Sequence, residues 1–165
     1  MLKQDRNSFC TTMFDYYGMP ASWPGREVAR EKPFAEKPVT IEQAILGDIS
    51  KALGEGFNPA RFLPYVQMHE FEALLFSDPR LLAASLESVD ESGIQEIREQ
   101  FKSPEEINDN QQTAPSKRIK HLNPRYDKVA DGVLIAKKIG LDVMRAECPH
   151  FNEWIGRLEA LAEDC

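Results

Sequence analysis

Apolar positions change period in the middle of the chain, and that change locates its main elements. Residues 62–66, Phe62-Leu63-Pro64-Tyr65-Val66, are aromatic and branched, as in a strand, whereas Phe71, Leu74, Leu75 and Phe76 recur at helical spacing. The switch falls at His69 and Glu70. Upstream, residues 8–14 are rich in strand formers and stop at Asp15, where Gly18 and Pro20 mark a turn. Between the two strands, Ile41, Ala44, Ile45, Ile49 and Leu53 share one helical face. Thr40 and Gln43 are spaced as a capping box for this helix, and Gly54 marks its stop. Its acids, Glu42 and Asp48, are expected in solvent. Residues 19–38 contain four prolines, Gly25 and interleaved charges without a period, which predicts a long loop, either a lid or a surface excursion.

A strand, a helix and a second strand predict a parallel pair, but parallel sheets are buried on both faces and usually several strands wide. The expectation is an α/β fold whose first strand is missing before Met1 or is supplied by another chain. The second half reads as helical. Asp78-Pro79 caps one helix, Ile94, Ile97 and Phe101 mark another, and Ser103-Pro104-Glu105-Glu106 starts a short third. Residues 108–115 are polar and turn-like. Ser116 is spaced as the cap of a short basic helix, residues 129–139 form a helix closed by Gly140, and Asp142 is placed to cap the next. Phe151, Trp154, Ile155, Leu158 and Leu161 make a final amphipathic helix, with Trp154 in its core face.

Composition narrows the class. At 165 residues and 42% hydrophobic, the chain is long enough for one domain spanning residues 1–165. A net charge of −7 argues against a globally basic nucleic-acid coat, leaving local patches or divalent cations to recruit phosphate. Cys10, Cys148 and Cys165 are odd in number and lack paired spacing, which fits a reducing cytoplasm. No apolar run approaches the length of a membrane span.

The candidate chemistry lies at the predicted strand ends. Asp15, Glu70 and Glu72 could meet at one rim and hold a hard divalent cation, since Mg²⁺ takes few protein carboxylates and leaves places for water and phosphate. The bland alternative is that Glu70 or Glu72 decorates the first turn of a helix, where carboxylates favour the positive end of the dipole. His69 is either a base or ligand beside them or a packed core histidine; its spacing to Glu72 is weak evidence for zinc. Ser116, Lys117 and Arg118 suit a phosphate at a helix N-terminus, against the alternative of a solvated face. No glycine-rich phosphate loop or Gly-x-Ser-x-Gly elbow is present.

Five ordered motifs carry a resemblance: Thr11-Thr12-Met13-Phe14-Asp15-Tyr16-Tyr17-Gly18, the run from Tyr65 to Phe76, Ala114-Pro115-Ser116-Lys117-Arg118, Tyr126-Asp127-Lys128, and Cys148-Pro149-His150-Phe151. With them the chain resembles, almost end to end, the family of domain of unknown function 4276, regarded as Toprim-like. The resemblance implies a small parallel sheet flanked by helices with a mostly helical C-terminal half. It further implies a nuclease using Mg²⁺ or Mn²⁺ on phosphodiesters, in phage defence or a mobile element. Asp15 looks like the later-strand acid of Toprim folds, and His69, Glu70 and Glu72 would complete the catalytic set. Two departures stand out: the family's opening strand with its glutamate and glycine is absent, and Asp15 is followed by two tyrosines where a second aspartate is usual. The rival expectation is a non-catalytic module that partners an ATPase or another chain.

Overall fold

The computed structural model describes residues 2–5, 7–87, 89–108 and 111–163. Met1, Cys165 and residues 109–110 of the polar stretch lie outside the described residues. Contacts divide the chain into two compact units, Met1–Gln67 and Met68–Cys165.

In the first unit, β1 (Cys10–Asp15) and β2 (Phe62–Gln67) run parallel, with Cys10 opposite Phe62 and Asp15 opposite Gln67. Parallel strands need a crossover, here supplied by α1 (Arg26–Arg30) and α2 (Lys37–Leu53). All of β2 is buried, against none of β1, because Ile41 and Ile45 of α2 pack on the β2 side. The Val66 N–H donates to Glu42 Oε1 at 2.9 Å. Glu42 was expected in solvent and is instead buried, where it supplies the acceptor for this amide of buried β2.

The loop expected over residues 19–38 holds more structure than its prolines suggested. α1 begins after Gly25, whose φ of 74° suits glycine and whose missing Cβ lets the chain approach Thr40 and Ala44 of α2. A 3₁₀ turn, Phe34–Glu36, then leads into α2, which starts at Lys37 rather than Thr40. Thr40 does not cap it; its hydroxyl donates to the Glu36 carbonyl at 2.7 Å. Buried Arg61 secures the segment before β1 by donating to the carbonyls of Ser8, Asp5 and Leu2.

The second unit is helical and is built around Phe71–Ser77, which forms a 3₁₀ helix where α-helical spacing was expected. Every residue from Glu72 to Ser77 is buried. Long 3₁₀ runs are uncommon, and this one is held on its flanks by α3 (Pro79–Ser85), α5 (Pro115–Leu122), α6 (Ala130–Ile139), α7 (Leu141–Glu147) and the 3₁₀ turn Pro104–Glu106. α4 (Glu91–Glu99) packs on α3, and α8 (Pro149–Glu163) packs on α7.

Asp78 caps α3 as expected, its Oδ1 accepting from the Leu81 N–H at 2.8 Å. Asp142 does not cap α7; Gly140, at φ 84°, occupies that position, and Asp142 sits in the first turn. Trp154 is half-buried against Phe151. Cys10 and Cys148 are free thiols. The fold is α/β, with a small parallel sheet flanked by helices and a helical second half. Among the described residues no helix is long and apolar enough to cross a membrane.

Candidate functional site

The site is assembled around the turn that enters the 3₁₀ run. His69 is buried and has φ 71°, a left-handed conformation uncommon outside glycine. The turn leaves Glu70 extended at the head of Phe71–Ser77, yet its side chain does not cap that helix. Glu70 Oε2 instead accepts the Ser116 N–H of α5 at 3.0 Å. Ser116 was expected to cap α5; Ala114 holds that position without a side-chain bond, and Ser116 is buried in the first turn. The α5 amide that a phosphate was expected to reach is therefore already bonded to a carboxylate of the chain itself.

Lys128 draws the two glutamates together. Its Nζ lies 3.5 Å from Glu70 Oε1 and 3.0 Å from Glu72 Oε2. The Glu72 side chain has no exposure, that of Glu70 has 16%, and that of Lys128 has 44%. These environments push the carboxyls in opposite directions. Burial acts to raise Glu70, but the Ser116 hydroxyl and amide and the Lys128 ammonium outweigh it and hold the carboxyl below its ordinary range. For Glu72, burial prevails over Lys128 and the carboxyl is pushed up. A pair of carboxyls separated in this way is the pattern from which acid and base roles are assigned.

Tyr126 lies beside the pair. Its hydroxyl is buried without a hydrogen-bond partner among the described residues, and an atom added at Gly132 Cα would sit 3.0 Å from it. Burial and the charge of Glu72 hold the phenol protonated well above its usual range. Asp127 Oδ1 accepts from the Val129 and Ala130 amides at the start of α6.

The cationic residues of α5 line a cleft of about 310 Å³ with Ile97, Gln112, Thr113, His121 and Leu122. Lys117 is exposed, while Arg118 donates from Nε to the Thr113 carbonyl at 2.8 Å and lies 5.5 Å from the Phe101 ring centre. Asp15 ends β1 in the first unit, where it is half-buried. Among the described residues no group of three or more His, Cys, Asp or Glu is gathered to hold a metal ion. Two converging carboxylates do match what Mg²⁺ usually takes from a protein.

A scan against family models matches residues 1–159 to the domain of unknown function DUF4276. The chain belongs to this family. No curated protein and no solved structure matches it. Three of the motifs that carry the DUF4276 resemblance meet at one place in the second unit: Glu70 and Glu72 from the first, Ser116 from the next, and Tyr126 with Lys128 from the third. The Cys148-Pro149-His150-Phe151 motif is served by a residue that sequence reasoning left in a short-helix cap. Buried Glu105 accepts the His150 and Phe151 amides, each at 3.0 Å, and so closes the start of α8. Lys128 and Tyr126 were also passed over as site residues, since neither spacing nor periodicity marks a contact made across the fold.

Proposed function

We propose that this chain is a Mg²⁺-dependent hydrolase of phosphodiester bonds, a nuclease working in the cytoplasm in phage defence or a mobile element. One observation carries the reading: Glu70 and Glu72 converge on a single cation, the ammonium of Lys128, whose side chain is partly exposed. Glu70 and Glu72 would hold Mg²⁺ or Mn²⁺, which when bound offsets charge developing on a phosphodiester. Lys128 holds the carboxylates together and tempers their repulsion. His69, fixed by its turn, orients a carboxylate or water, and Lys117 and Arg118 hold the phosphate. The free thiols Cys10 and Cys148 agree with a reducing compartment.

Calorimetric titration with Mg²⁺ and Mn²⁺, with cleavage of labelled DNA and RNA, tests this. Glu70→Gln and Glu72→Gln should each lose metal binding and at least about a hundredfold in metal-stimulated cleavage, the scale of a lost catalytic group. Asp15→Asn, assayed alongside, asks whether the strand-end acid contributes. Undiminished cleavage in both glutamate variants would remove the site from the reaction.

A second reading, an interaction module for an ATPase or another chain, is favoured by β1. This strand has no buried residue, its Met13 is 38% exposed, and among the described residues it pairs with β2 alone. An open edge accepts a further strand. Slow amide exchange along β1 only when the partner is present would support this module.

A further inference from the structure

We propose that the α5 cleft receives one unpaired nucleotide of a nucleic-acid strand, its phosphate on Lys117, Arg118 and His121 and its base against Ile97 and Leu122. The inference rests on the phosphodiesterase reading and narrows its substrate to single strands. At about 310 Å³, the cleft reaches the size of small-molecule pockets and exceeds what a phosphate ion fills. Its lining is divided by chemistry, with cationic side chains from one helix and apolar ones beside them.

Helical spacing creates that division. Ser116 and Ile119 turn inward and are buried, while Lys117 with His121 and Arg118 with Leu122 are each four apart and stack along the cleft side of α5. Arg118 is held at Nε by the Thr113 carbonyl and lies near Phe101, which fixes the plane of its guanidinium. A fixed guanidinium plane serves both phosphate and a stacked base. The lining contains no acid, although the chain carries a net charge of −7. Nucleic acid is thus repelled at large and attracted locally.

Single strands are specified because a duplex keeps its bases stacked and paired. Its phosphates could touch Lys117, but no base could enter unless it were first extruded, at a cost of a few kcal/mol. Placement also suits cleavage. The helix that lines the cleft is bonded at Ser116 to Glu70, one residue before Lys117, and a helix is only about 10 Å across.

The test is fluorescence anisotropy on the full chain with a labelled oligothymidylate, a duplex of equal length, and adenosine monophosphate as competitor. Single strands should bind at least about tenfold more tightly than duplex, and the exposed Lys117→Glu change should weaken that binding about tenfold at unchanged melting temperature. His121→Ala should weaken it less. With the two cations Lys117 and Arg118 engaged, log K should fall with log salt at a slope of about −1.4. Equal affinity for duplex, or single-strand binding unaffected by Lys117→Glu, would overturn the proposal. Displacement by adenosine monophosphate at equimolar nucleotide would also overturn it, assigning the cleft to a free nucleotide. Glu72→Gln separates the two readings: it should abolish cleavage while leaving strand binding intact. Intact, Lys117-dependent binding by a chain that cleaves nothing would sink the hydrolase and leave the cleft standing.

Discussion

His69 concentrates the constraint on the site. A left-handed backbone is tolerated by histidine better than by most residues and poorly by branched ones. His69→Asn should therefore keep the turn, whereas His69→Val should lose about 2 kcal/mol or more through backbone strain, read by chemical denaturation. If Val and Asn destabilise equally, packing of the imidazole rather than the turn is what His69 supplies. The sequence marks a change of period and a candidate base or ligand at this residue, but not its backbone conformation. A positive φ follows from the path of the chain on both sides, which no single residue type announces. Lys128 was hidden for a related reason: its partners are more than fifty positions away, and an exposed lysine after an aspartate looks like any solvated pair.

At the level of elements, the chain's periodicity told most where burial is one-sided. α2, α3, α6 and α8 are found near their apolar stripes, and both strands are within two residues of their expected ends. Prediction failed where polar groups turn inward. Glu42 and Glu105 carry no helical-face signal because each answers a backbone amide elsewhere. The prolines of residues 19–38 concealed α1, whose start depends on Gly25 lying against α2. An added Cβ there would stand 2.8 Å from Ala44 Cβ and 2.9 Å from the Thr40 carbonyl. Gly54 has φ 88° and nothing within 4 Å of such an atom. Gly54→Ala should thus cost only backbone strain, of about 1–3 kcal/mol. Gly25→Ala adds a collision with helix backbone, typically about 1–3 kcal/mol more. A comparison of the two melting temperatures checks this; equal losses would mean that α1 does not depend on close contact with α2.

For the whole molecule, Glu105 ties acidity to stability. Burial raises its carboxyl above 4.5, against the lowering effect of the His150 and Phe151 amides. Above pH 4.5 and up to the raised folded value, the native chain holds a proton there that the unfolded chain has released, so this contribution is present at low pH and fades as pH rises. Glu105→Gln should flatten that part of the stability curve, seen as a difference from the unmodified chain as pH rises above 4.5. Glu105→Ala, which strips both α8 amides of their acceptor, should cost about 2–4 kcal/mol at any pH. A Gln variant that keeps the slope would move the titration to another group. Glu70 has a different kind of reach. One of its oxygens restrains the head of α5 and the other faces Lys128. A ligand taken up by the carboxylate pair and one taken up in the cleft would share this side chain, and whatever free energy the first lent the second would be returned in equal measure.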